Sequence, residues 1–135
     1  MKGLSSIIDT VLIAAATLLF MMGLINVLND FTTRVSTERT RAALVIDSQK
    51  VINSILLARR EIGDGNAKFF VSLADFPYDL YVQNGYLIAK SSEHTINTSL
   101  FNMANYITFN GKIKNSKGQK PYIISSGNTI TFGVE

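Results

Sequence analysis

The sequence predicts an α+β protein, with one long N-terminal hydrophobic α-helix followed by a small antiparallel β-rich head domain. Three observations carry that prediction. Residues 11–28, VLIAAATLLFMMGLINVL, are apolar except at Thr17, Gly23 and Asn26. Residues 30–62 contain neither Pro nor Gly. After Asn66 the pattern turns to short runs rich in aromatic and β-branched residues, and Asn-Gly pairs separate some of them.

The apolar run comes first. At about 18 residues it reaches the length needed to cross a hydrocarbon core as a helix. A helix that is apolar on every side must be surrounded by lipid, by a protein core or by copies of itself. Only Met1 and Lys2 form a basic n-region, the run is longer than that of an ordinary secretory signal, and no small-x-small cleavage site follows Leu28. The segment is therefore expected to stay in the working protein.

Helical character continues past the run. Asp30 and Arg34, Glu38 and Arg41, and Asp47 and Lys50 place an acid three or four residues before a base. One helix over residues 5–62 would be roughly 85 Å long, far more than a bilayer needs. Gly63-Asp64-Gly65-Asn66 follows as a stop signal, with Gly63 placed for a left-handed C-terminal cap. Two apolar stripes mark the second half: Leu44, Val51, Ile55, Ala58 and Ile62 on one line, Val45, Ile52 and Leu56 on another about 100° away. Two stripes fit a helix that touches its own head on one side and other helices on the other. They equally fit a helix sunk in a groove of one domain.

In the head, strands are expected at residues 68–73, 78–83, 86–90, 106–109, 112–114, 122–125 and 129–132. Hairpin turns are expected at Asn84-Gly85, Asn110-Gly111 and Ser126-Gly127-Asn128. Pro77 suits a turn, and residues 98–105 suit a short helical turn. Connections this short give antiparallel pairing. A β-domain of about 70 residues owns little core unless a helix lies across it.

Composition excludes several kinds of chemistry. With no cysteine there is neither a disulfide nor a thiol site, and the single histidine, His94, lies in the polar stretch SSEHTINTS, where a solvated loop position is expected. No catalytic, cofactor or metal residues are assigned. Asp64, Asp75 and Asp79 lack a full calcium loop and read as turn acids. GKIKNSKGQK lacks phosphate-loop spacing. Lys112, Lys114, Lys117 and Lys120 read first as a solvated turn that keeps a β-edge from aggregating, with a surface contact for an anionic polymer or DNA as the alternative, and the net charge of +3 is too mild to argue for nucleic acid. Asn97-Thr98-Ser99 is a glycosylation sequon, with Asn97 the acceptor if the head lies outside the cell. Asp9 sits where it can answer the helix dipole, or pair with a neighbouring subunit's amino terminus.

Lys2-Gly3 ahead of LSSIIDTVLIAAATLLFMMGLINVL resembles the class III signal of archaeal type IV pilins and archaellins, and FVSLADFPYDLYVQNGYLIA is similar to a strand-turn-strand stretch of many archaeal pilins. Bacterial pilins usually begin with Phe and carry Glu at the fifth position; Leu4, Ile8 and Asp9 would be first, fifth and sixth here. The resemblance implies a leader at 1–3, cut by a prepilin peptidase between Gly3 and Leu4. It implies a helix over 4–62, with 4–29 in the membrane and then the filament core and 30–62 amphipathic, and a head over 67–135. Packing in the core is expected from Leu12, Ile13, Leu18, Leu19, Phe20, Met21, Leu24 and Ile25.

The function so implied is structural rather than enzymatic: a self-assembling subunit of a cell-surface, extracellular filament for adhesion or motility. It would start as a membrane-inserted precursor and meet an assembly ATPase and a membrane platform protein. Arg34, Arg39 and Arg41 beyond the run would, by the positive-inside rule, put the head in the cytoplasm. The continuous helix and the lack of intracellular chemistry favour the outside. The alternative is a membrane-anchored β-domain that does not polymerise, an accessory component of a secretion or adhesion machine. A tethered enzyme or sensor has least in its favour.

Overall fold

The computed structural model of the 135-residue chain describes residues 2–62 and 65–135. A single helix, α1, spans Lys2–Ile62, 61 residues without interruption. The expected stop at Gly63 and Asp64 lies outside the described residues. Seven strands follow: β1 (Asn66–Phe70), β2 (Tyr78–Gln83), β3 (Tyr86–Lys90), β4 (Thr95–Ser99), β5 (Thr108–Asn115), β6 (Pro121–Ser126) and β7 (Thr129–Val134), with a 3-10 turn at Phe101–Asn105. The fold is the α+β arrangement that the sequence predicts. The chain divides into two units, Met1–Glu38 and Arg39–Glu135, and each is described separately.

In the first unit the helix stands on its own hydrogen bonds. Asp30 and Arg34 pair at 3.0 Å on its surface. The hydroxyls of Thr10 and Thr17 donate to the carbonyls of Ser6 and Ile13, each at 2.8 Å. Each hydroxyl therefore enters an apolar environment already satisfied.

In the second unit the strands form one sheet in the order β1-β6-β7-β5-β2-β3-β4, so that β1 and β4 are its edges. All pairs are antiparallel except β5 with β7, which is parallel. Strand β5 is the seam. Its residues 108–111 pair with β7 and its residues 112–115 with β2. The Asn110-Gly111 pair, expected to turn a hairpin, instead lies inside this one strand. Gly111 has φ 75°, and a Cβ there would stand 2.4 Å from the Phe132 carbonyl oxygen, so a glycine is needed where the strand changes partner. Asn84-Gly85 does turn the β2–β3 hairpin, with φ of 52° and 79° in succession, the positive values that a type I′ turn requires.

One face of the sheet is covered by the second half of α1. Leu44, Val51, Ile55 and Ala58 are fully buried, and the first three join Leu80, Leu87, Ile113, Ile123 and Ile130 in one core. These core residues alternate along β2, β3, β5, β6 and β7, as a half-covered sheet demands. The first stripe thus seats the head. Ile52 is buried with it, whereas its expected companions Val45 and Leu56 stay exposed. The side chain of Ile62 lies outside those described.

Candidate functional site

The largest surface without a cover from its own chain is the apolar part of α1. All eight residues expected to pack in a filament core, Leu12, Ile13, Leu18, Leu19, Phe20, Met21, Leu24 and Ile25, are between 50 and 72% exposed. The helix is long and apolar enough to cross a membrane, and none of its most apolar 18-residue window is buried in the protein. At about 1.5–3 kcal/mol for each large side chain withdrawn from water, those eight positions represent about 12–24 kcal/mol of stabilisation open to whatever covers them.

Gly23 adds to this picture. A Cβ placed there would meet nothing within 4 Å, so nothing in its own chain demands a glycine. In a helix interior glycine costs about 1 kcal/mol relative to alanine. Gly3 and Leu4 lie in the first turn, with Leu4 exposed, and Asp9 is exposed and has no ion pair among the described residues.

On the head, α1 turns a second uncovered face outward. Val45, Ile46, Leu56 and Leu57 are between 42 and 56% exposed, and they share the side of the helix opposite Leu44, Val51 and Ile55 with Ala42, Gln49 and Asn53, all uncharged. Arg59 fixes the end of this helix to the β6–β7 turn, its guanidinium donating to the Gly127 carbonyl at 2.6 Å and to Asn128 Oδ1 at 3.1 Å.

A polar network that the sequence did not signal lies under the helix. Asp47, read as one half of a surface pair with Lys50, is 1% exposed. Its Oδ2 accepts from the Tyr78 hydroxyl at 2.6 Å and from the Ala74 backbone N–H at 2.7 Å, while Lys50 reaches Oδ1 at 3.4 Å and the Ser72 carbonyl at 3.2 Å. From the opposite side Asn115 Nδ2 donates to the carbonyls of Ala74 and Phe76, at 2.6 and 3.0 Å. The segment between β1 and β2 is thus clamped to α1 and to β5. Burial, then the hydrogen bond to Asp47 and its charge, raise the Tyr78 hydroxyl far above the ordinary tyrosine range.

Beside this segment an open cleft of about 510 Å³ is lined by Phe70, Val71, Asp75, Asn115, Gln119 and Lys120 among others. Among the described residues its lining holds one acid, one amine and the hydroxyls of Ser72 and Ser116, with no histidine. No cluster of three metal-binding side chains occurs among the described residues. His94 is half buried rather than solvated, and its Nε2 is enclosed without a partner. Asn97 is exposed on the edge strand β4, a strand the sequence did not announce. Asp79 pairs with Lys112 at 3.3 Å. No protein-family model, curated protein or solved structure matches this chain.

Proposed function

We propose that this protein is a structural subunit of an extracellular type IV pilus-like filament, inserted in the membrane as a precursor and assembled by bundling of its N-terminal helices, for adhesion or motility. The observation that carries this reading is an apolar helix exposed around its whole circumference, with a further outward face, free of charge between residues 42 and 57, on the part that seats the head. Lipid tails are as apolar as leucine, so transfer from membrane to filament gains little from the hydrophobic effect and rests on close packing. Ala14, Ala15, Ala16 and Gly23 supply the small side chains that such packing uses. Once in the filament, the same helices resist release into water. Contacts that repeat without closing into a ring give a helical polymer.

A membrane-anchored β-domain that does not polymerise is the second reading, and the length of the apolar run favours it as much. The outward face with Val45, Ile46, Leu56 and Leu57 lies beyond the bilayer-length run and supports the filament reading, since neighbouring helices could cover it and a bilayer around the run could not. Negative-stain electron microscopy of material sheared from cells, joined to intact mass, tests the proposal. Filaments built of a chain that begins at Leu4 are expected. A full-length chain confined to membranes, with no filaments, rejects it.

A further inference from the structure

Strands β1 and β4 stand at the two ends of the sheet, and among the described residues no strand pairs with the outer side of either. An open edge is usually guarded by charge, proline, a bulge or a covering segment. Strand β4, Thr95–Ser99, carries no charge and no proline, and it pairs with β3 residue for residue without a bulge. Strand β1 carries one charge, Lys68, which is drawn back over its own sheet. Its ammonium pairs with Glu135 and lies 4.1 Å from the ring centroid of Tyr122 on β6.

The two edges also match one another. From β1 to β4 the sheet takes five antiparallel steps and one parallel step, so β1 and β4 run in opposite directions. A copy shifted along the sheet therefore brings its β4 against β1 in the antiparallel sense, the more stable one. The hydrogen-bond phase is set on both sides. Val71 N–H donates to the Pro121 carbonyl at 2.9 Å, so Ala67 and Phe69 bond to β6, while Lys68 and Phe70 turn their backbone groups outward. Leu100 N–H donates to the Gly85 carbonyl at 3.0 Å, so Ile96 and Thr98 bond to β3, while Thr95 and Asn97 turn theirs outward. Setting Lys68 opposite Asn97 and Phe70 opposite Thr95 satisfies both phases and overlaps the two five-residue strands in full. Phe69 then meets Ile96 on the side of the sheet that α1 covers, an aromatic against a β-branched residue. Pairing like with like fails at β1, where it would set Lys68 opposite Lys68.

We infer that the partner of these edges is a second copy of this chain: β4 of one head pairs with β1 of the next in that register. Because the two edges differ, the contact is head-to-tail and leaves an edge open at each end for further copies. The inference does not depend on helix bundling.

The test is disulfide formation by the full-length protein in phosphatidylcholine vesicles, whose bilayer accommodates the apolar helix. The chain has no cysteine, so bonds form only where cysteines are introduced. Oxidised Ala67→Cys/Thr98→Cys should give a ladder of dimers, trimers and longer products on a non-reducing gel. Five strands separate the two positions within one chain, too far for a bond inside it. Ala67→Cys/Asn97→Cys places its cysteines on opposite sides of the joined sheet and should give at least about tenfold less product. Asn97→Pro, added to the first pair, removes an N–H that β3 does not use. It should cut the ladder about tenfold and leave the head's urea midpoint in place. Absence of a ladder overturns the inference, as does an equal ladder from the slipped pair, which still decides if the proline variant fails to fold. Dimers from Ala67→Cys alone or Thr98→Cys alone, as abundant as the double variant's products, also overturn it, because the edges then meet like with like. Electron microscopy separates this inference from the filament: a ladder without filaments keeps it, and filaments without a ladder reject it alone.

Discussion

One helix serves two regions under opposite rules. Up to Glu38 its leucines and isoleucines face outward on every side; from Arg39 on, one face is sealed against the sheet and admits a carboxylate, Asp47, to the core. Leu19 is 71% exposed and Asp47 1%. Hydropathy alone therefore does not say what is buried in this chain. Burial follows what the rest of the chain can cover, and a 70-residue sheet covers about one face of a helix.

The largest expected effect tests that separation directly. Leu19→Lys places a charge in the middle of the apolar run, where a transmembrane helix pays about 2.5–3.5 kcal/mol for it. Sheared filaments should vanish from micrographs, while the melting temperature of the head stays within a degree or two. A parallel drop in head stability would show that the two regions are not independent.

Next in size are changes under the helix. Asp47→Ala leaves the Tyr78 hydroxyl and the Ala74 N–H without their acceptor and should cost about 3 kcal/mol. Ile55→Ala opens a cavity in the same core and should cost about 2–5 kcal/mol. Urea unfolding of the head is the readout for both. If Asp47→Ala unfolds at the parent's midpoint, the clamp on the β1–β2 connection contributes nothing.

These two positions also mark what the sequence made legible. Ile55 sits on a stripe with helical period, and periodicity reports a buried apolar side chain directly. Asp47 stands three residues before Lys50 and does pair with it at 3.4 Å, but its burial and its bonds from Tyr78 and Ala74 come from residues far along the chain and leave no local mark. Strand β4 was hidden for a related reason: in TINTS only Ile96 packs on the core, so alternation is too thin to see. The seam in β5 was misread because an Asn-Gly pair signals a positive φ correctly but not its use. At Gly111 that freedom admits the Phe132 carbonyl rather than a turn. The outward apolar run was legible in full, since it needs no tertiary partner from its own chain.

A smaller effect is expected from pH. The Tyr78 hydroxyl is raised in the folded head, while in the unfolded chain it titrates near its ordinary value of about 10. Below pH ~10 both states hold the proton and stability is unaffected by this group. Above it the unfolded chain loses the proton first, so folding stability falls, by up to about 1.4 kcal/mol per pH unit. Tyr78→Phe should remove that part of the slope, seen as the difference between the two proteins' urea midpoints from pH 9 to 11. Identical slopes would mean that the hydroxyl is not held in the protonated form.

The smallest effect on the head is the most informative about the helix. Leu56 follows Ile55 directly, yet Ile55 is fully buried and Leu56 about half exposed. Leu56→Gln should leave the head within about 0.5 kcal/mol of the parent, as an exposed substitution in a good helix position does. If copies of the protein meet along this outward face, each subunit of a filament then buries an unpaired amide, at about 1–3 kcal/mol. Filaments should form but come apart at lower temperature or denaturant than the parent's, followed by light scattering. Unchanged filament stability would confine subunit contact to the apolar run, and Val45, Ile46 and Leu57 would then face solvent.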